Sequence, residues 1–330
     1  MMTLWPTTYD PRELKHLAES AAPAAVDWLS SHDASHLAEA LERFYLPLAI
    51  TLQHWRKAQN APLILGIAGA QGSGKSILAQ LLSVILERGF DYKVATLSID
   101  DLYHPRDKRL ELSRTVHPLL ATRGVPGTHE VQLGRDILMH LRQLGSGQSM
   151  RLPRFDKARD DRLPVEQWDQ VNGPLDIILF EGWCVGARSQ PEYALKIAVN
   201  SLEEFEDEQL LWRTYINRHL ASDYAELFSL LDKLIFLKAP SWESVFIWRS
   251  QQEQQLAATT PSTEQTRIMN DDTLRRFIQH YERISRLMLA TTPGYADICV
   301  ELGSDHQVSA VHLGHSNRNL PSREGPDPTR

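Results

Sequence analysis

The run Gly69-Ala70-Gln71-Gly72-Ser73-Gly74-Lys75-Ser76 satisfies the pattern G-x-x-x-x-G-K-[ST]. Glycines let such a turn curl until successive backbone N–H groups point at an anion, and a helix that starts there adds the positive end of its dipole. In that setting Lys75 reaches the β and γ oxygens of a nucleoside triphosphate, and Ser76 offers its hydroxyl to Mg²⁺. The apolar run 63–68 precedes the turn, and a segment with Leu78, Leu81, Leu82 and Ile85 on one helical face follows it. That strand-turn-helix context separates a nucleotide-binding loop from an ordinary glycine turn.

GTPases, motors and small-molecule kinases all use this loop, so the ends of the other strands must decide between them. The apolar run 94–99 leads into Ser98-Ile99-Asp100-Asp101-Leu102-Tyr103. This sets adjacent carboxylates at the carboxyl edge of a sheet, where open α/β folds bind ligands. One of them can accept the proton of an acceptor hydroxyl and orient that hydroxyl for phosphoryl transfer. The run 176–180 ends in Glu181-Gly182-Trp183, an acid suited to hold Mg²⁺ directly or through water. The Asp-x-x-Gly and Asn-Lys-x-Asp patterns of a GTPase do not occur at the corresponding places. A non-catalytic ATP-binding regulatory protein would have no use for a carboxylate beside the phosphate loop, which speaks against that alternative.

Between the two acidic strand ends lie Arg123, His129, Arg154 and Lys157. A small anionic acceptor needs such cations or strong donors. Arg154 is the first candidate to grip a carboxylate: it follows Pro153, precedes Phe155, and carries a guanidinium fork. A nucleoside would instead need a flat aromatic slot, which Phe155 and Trp183 could supply. Arg249 lies on a helical stretch just before the polar segment 251–268.

These motifs, taken in order with Gly127-Thr128-His129-Glu130, Pro153-Arg154-Phe155-Asp156-Lys157 and Trp248-Arg249, resemble those of the D-glycerate 3-kinases. That family lies within the wider group of uridine-kinase, phosphoribulokinase and pantothenate-kinase-like enzymes, and the resemblance covers about residues 60 to 305. It implies ATP with Mg²⁺ as cofactors and a small-molecule partner, D-glycerate, phosphorylated to 3-phosphoglycerate. Uridine-type nucleosides or pantothenate are the alternative acceptors. It also implies that Asp100 is the general base, through the Ser-x-Asp motif, and that Tyr103 belongs with the acceptor. Arg249 then sits on a lid at about 245–270 that closes over the phosphates and excludes water.

Further apolar runs at 234–237 and 296–300 join the three already named, each separated by enough chain for a crossover helix. Strands apolar on both faces and alternating with helices form a parallel sheet covered on both sides. The expected architecture is therefore a three-layer α/β P-loop NTPase fold with a doubly wound, mostly parallel sheet. Leu133, Ile137, Leu141 and Leu144 mark one amphipathic helix; Leu274, Phe277, Ile278, Tyr281, Ile284 and Met288 mark another. Gly89 is placed to end the helix after the phosphate loop. Ser201 with Glu204 reads as a capping box opening a long segment to Leu231. Residues 1–60, with Leu37, Leu41, Phe44 and Tyr45 at helical spacing, form a helical N-terminal extension to a kinase domain at 61–305. Residues 306–330 form a tail, and its Pro-, Arg- and Ser-rich end from about Ser316 is expected to be disordered.

The formal charge of -7 gives no general attraction to nucleic acid or to an anionic membrane, so phosphate must be met by locally placed cations. Two cysteines, Cys184 and Cys299, are too few for a disulfide framework. No apolar run approaches the ~18 to 20 residues of a membrane span, and the N-terminus lacks a basic region followed by an apolar core. These features point to a cytoplasmic protein.

Overall fold

The computed structural model describes residues 4–6, 9–259 and 271–314. In chain order the strands are β1 (Leu63–Gly69), β2 (Val94–Ser98), β3 (Ser149–Leu152), β4 (Phe155–Asp156), β5 (Asp161–Arg162), β6 (Asp169–Asn172), β7 (Ile177–Gly182), β8 (Lys233–Lys238), β9 (Ile298–Leu302) and β10 (Val308–Leu313). The helices are α1 (Pro11–Ser31), α2 (Leu46–Lys57), α3 (Lys75–Phe90), α4 (Arg106–Thr115), α5 (Val131–Gln143), α6 (Ser201–Glu206), α7 (Leu211–Ala221), α8 (Asp223–Phe228), α9 (Trp242–Thr259) and α10 (Asp271–Thr291).

One 6-stranded sheet runs in the order β10-β9-β8-β1-β7-β2. All neighbours are parallel except β10, which returns antiparallel on β9. Every residue of β1 and of β7 is buried, as continuous apolar runs in a doubly covered sheet require. Alternation along β1 sends Leu63, Leu65 and Ile67 into one core, which includes residues of α1, α2 and α3. Ile64 and Ala68 enter the opposite core, with residues of α5, α7, α8 and α10. This is the three-layer α/β P-loop fold, with helices on both faces. No helix among the described residues is long and apolar enough to cross a membrane.

Several local expectations change in detail. The helix after the phosphate loop runs through Gly89 to Phe90 and ends where Asp91 turns left-handed at φ 54. Gly89 serves packing instead: a Cβ there would stand 2.1 Å from Leu17 of α1. The capping box is shifted by one residue, because Asn200 is the N-cap and its side chain accepts the Glu203 N–H at 3.0 Å. The segment that follows is no single helix but α6, α7 and α8, divided at Leu210 (φ 61) and Ser222. Residues 11–31 and 35–57 are helical, and they share the core of β1 and α3. Because β10 pairs with β9, residues 308–313 belong to the sheet and not to a tail. The region from about Ser316, residues 260–268 of the polar segment and residues 260–270 of the expected lid lie outside the described residues.

Candidate active site

At the carboxyl end of β1 the chain enters the phosphate loop, where Gly72 and Gly74 both hold φ 81. A side chain is strained in that conformation, and at Gly72 a Cβ would also stand 2.8 Å from Trp248 of α9. Gly74 caps α3, so Lys75 and Ser76 occupy its first turn with the amides and dipole behind them. Lys75 Nζ donates to the Ala70 carbonyl at 3.3 Å. Burial lowers its pKa, against the raising influence of Glu181 and Asp100.

Glu181 reaches this loop through strand register. β7, which lies between β1 and β2, aligns it with Ile67 of β1 on one side and Ser98 of β2 on the other. Ser76 Oγ donates to Glu181 Oε1 at 3.2 Å. Burial raises the Glu181 pKa, opposed by Lys75. A hydroxyl and a carboxylate oxygen this close, at the mouth of a phosphate loop, are the hard oxygen donors that Mg²⁺ prefers, so the residues fit that ion.

The adjacent acids after β2 part company. Asp101 turns away from the loop, accepting the Phe155 N–H at 3.0 Å and Arg154 Nη1 at 2.7 Å. Asp100 faces a cavity of about 320 Å³ that it shares with Gln71, Gly72, Lys75, Ser76 and Glu181. Tyr103 Oη donates to Asp100 Oδ1 at 2.6 Å, and Lys157 Nζ donates to Oδ2 at 2.7 Å. Burial alone would raise the Asp100 pKa, but the charge and hydrogen bond of Lys157, the Tyr103 hydrogen bond and the charge of Lys75 outweigh it and hold the carboxyl at about 2. Tyr103 is itself driven well above the ordinary phenol range by burial and by Asp100, so it remains a donor.

Tyr103, Arg123, Lys157 and Arg249 also line this cavity. Arg123 is ion-paired with Asp160, and its guanidinium lies 5.6 Å from the centre of the Phe155 ring. Arg249 comes from α9, with its guanidinium 5.8 Å from the Phe277 ring centre on α10. Two expected acceptor residues stand elsewhere. The Arg154 fork is taken up by Asp101 and by Asp169, the latter at 2.6 Å from Nη2. His129 is buried, with Nδ1 2.5 Å from the Tyr224 hydroxyl and its ring stacked on Tyr103 at 4.7 Å. Burial lowers the His129 pKa to about 3, which keeps the ring neutral. It supports the site from behind.

Aromatic residues complete the wall: Trp183, Phe277 and Tyr281. Tyr281 Oη donates to the Arg123 carbonyl at 3.0 Å, and Trp183 Nε1 donates to the Gly124 carbonyl at 3.0 Å. Gly124 holds φ 125, and a Cβ there would stand 2.1 Å from Tyr281 Oη. The loop that presents Arg123 is thus bolted to α10 and to the end of β7. In the sequence Phe277 and Tyr281 look like any other members of an apolar helical stripe, and no local signal marks them as cavity residues.

No protein-family model matches the chain. It is 34% identical over 238 residues to the uncharacterized kinase mug58 of Schizosaccharomyces pombe, an alignment covering 70% of this chain and 82% of that protein. It is also similar to the chloroplastic D-glycerate 3-kinase of Arabidopsis thaliana, at 28% identity over 274 residues, 78% of this chain and 57% of that one. The solved structure of D-glycerate 3-kinase from Cryptococcus neoformans var. grubii serotype A superposes with a TM-score of 0.68 at 25% identity. That match covers 80% of this chain and 96% of the other.

Proposed function

We propose that this chain, which belongs to the P-loop kinase family that includes the D-glycerate 3-kinases, transfers the γ-phosphoryl group of ATP to D-glycerate to give 3-phosphoglycerate. The observation that carries this reading is the company Asp100 keeps. One cavity holds that carboxylate together with Lys75 and Ser76 of the phosphate loop and the cations Arg123 and Lys157. A hydroxyl acid can place its hydroxyl on Asp100 and its carboxylate on those cations.

The loop amides and Lys75 bind the β and γ phosphates and hold the γ phosphorus facing the acceptor. Ser76 and Glu181 would hold Mg²⁺, which supplies charge neutralisation on the phosphate oxygens when bound. Asp100 accepts a hydrogen bond from the acceptor hydroxyl and orients it. As the bond from that oxygen to the γ phosphorus forms, the bond to the β,γ-bridging oxygen breaks, ADP leaves, and the proton passes to Asp100. Arg123 and Lys157 neutralise the acceptor carboxylate, whose burial as a bare anion would be costly. Arg249 on α9 adds a guanidinium beside the transferring group and helps exclude water. Tyr103, held by His129, fixes the orientation of Asp100.

The aromatic wall of Trp183, Phe277 and Tyr281 favours a second reading, a nucleoside whose flat base stacks on it, with pantothenate, a longer hydroxy acid, as the other alternative. A coupled ADP assay with purified protein and MgATP, run across D-glycerate, uridine, pantothenate and glycerol, decides between them. Turnover of glycerate is the expected result. Turnover of uridine or pantothenate without glycerate rejects the acceptor and leaves kinase chemistry standing; ATP binding with no turnover of any acceptor favours a regulatory protein.

A further inference from the structure

Asp100 is held by donors on both oxygens, Tyr103 at 2.6 Å and Lys157 at 2.7 Å. A carboxylate so engaged, with an ammonium against one oxygen, is a weak acceptor for another proton, and Asp100 is held at about 2 by these partners against the opposing effect of burial. The acceptor hydroxyl must nevertheless approach this carboxylate. Something has to move.

The two donors differ in freedom. Tyr103 is buried, stacked on His129 and edge-on to Phe155 at 5.1 Å. The Lys157 side chain is 62% exposed, and its ammonium is a compact charge on a flexible stem that can exchange one carboxylate for another at little cost. Arg123 is anchored to Asp160, and Asp160 is anchored in turn to the buried Arg109 at 2.9 Å.

We propose that Lys157 is a latch on Asp100 that an anionic acceptor opens. The acceptor carboxylate draws the ammonium to itself, and the released Oδ2 receives the acceptor hydroxyl. Charge is conserved in the exchange: one carboxylate replaces another on Lys157, and a hydroxyl replaces the ammonium on Asp100. Without such an anion Asp100 stays engaged, and a water molecule in the cavity finds no base to orient it against ATP. The latch rests on the reading of Asp100 as proton acceptor given above, and it explains how the site suppresses ATP hydrolysis while it waits for its acceptor.

The test measures ADP formation by the full chain with MgATP alone, with D-glycerate, and with glycerol, which keeps the hydroxyls but lacks the carboxylate. Lys157→Met removes the ammonium and keeps the stem. It is expected to raise acceptor-free ADP formation about tenfold, raise the glycerate KM at least as much, and shrink the preference for glycerate over glycerol by about tenfold. Lys157→Arg keeps an ion pair with Asp100 and should raise acceptor-free ADP formation far less than Lys157→Met does. Adding Asp100→Asn to Lys157→Met should abolish the rise. A raised glycerate KM with acceptor-free ADP formation unchanged makes Lys157 a plain substrate contact and overturns the latch, as does a rise that survives Asp100→Asn. The acceptor-free arm contains no glycerate, so failure of the parent on glycerate removes the acceptor assignment while that arm still decides the latch.

Discussion

Arg154 and Asp101 form an ion pair, Nη1 to Oδ2 at 2.7 Å, that ties the segment carrying Phe155 to the turn carrying Asp100. The same guanidinium reaches Asp169, so its fork is filled from within the protein. Arg154→Ala should therefore act mainly on stability. The expected loss is about 1–2 kcal/mol, below the value for a fully buried pair because the Arg154 side chain is 34% exposed. Arg123→Ala should raise the glycerate KM by about tenfold or more, and by more than Arg154→Ala does. Urea unfolding and steady-state kinetics at saturating ATP separate the two effects, and the opposite ranking of KM values would return Arg154 to the acceptor site.

Asp100→Asn preserves the shape of the side chain and removes its basicity. kcat should fall by on the order of 10²-fold or more, with ATP affinity little changed. Equilibrium nucleotide binding with and without Mg²⁺ provides the control. A collapse of Mg²⁺-dependent ATP binding would make Asp100 a metal ligand.

Gly124 cannot carry a side chain without displacing Tyr281, which a Cβ would approach to 2.1 Å. Gly124→Ala should raise the acceptor KM while leaving the ATP KM near its parental value, because the displaced loop presents Arg123 and not the phosphate loop. Tyr281→Phe removes only the hydrogen bond to the Arg123 carbonyl and should cost about 1 kcal/mol, with a smaller kinetic effect. Equal kinetic damage from the two variants would show that the bond, and not the position of the loop, matters.

Acidification should weaken the fold before it reaches the carboxylate range. His129, lowered by burial to about 3, and His280, lowered by burial to about 4, stay neutral in the folded protein. Their unfolded counterparts take up protons below 6.5. The unfolded state thus binds more protons in this window, and stability falls as pH drops through it, by up to about 2 kcal/mol per histidine between pH 7 and 5. Glu181, raised by burial, acts in the opposite sense above its ordinary range. Urea unfolding at pH 7 and pH 5, with and without His129→Gln, measures the share of one histidine; a parental pH slope in the variant would contradict it.

The sheet was readable because its cause is local. A strand covered on both faces must be apolar at every position, and the runs at 63–68, 94–99, 176–180, 234–237 and 296–300 all became β1, β2, β7, β8 and β9 within a residue or two. The phosphate loop was readable for a similar reason, since its glycine geometry is written in consecutive residues. The pairing of Arg154 was not readable because its partner Asp169 arrives from a strand 15 residues further on, a distance over which sequence carries no pairing signal. Gly89 misled because a glycine that admits a neighbouring helix looks the same as one that ends its own. Tyr281 went unnoticed because the stripe on α10 serves the core and the cavity at once.

The division of labour along the chain has a mechanical consequence. Asp100, Tyr103, Arg123 and Lys157 all come from the stretch between β2 and β7, whereas Lys75 and Ser76 come from α3 and Glu181 from the end of β7. The stretch is also self-braced, through Arg154 with Asp101 and Asp169, Arg109 with Asp160, and Arg162 with Glu130. The acceptor end of the cavity thus has a frame of its own ion pairs, joined to the nucleotide end through Trp183 after β7 and Tyr281 on α10, so a distortion of either joint is felt first by the acceptor.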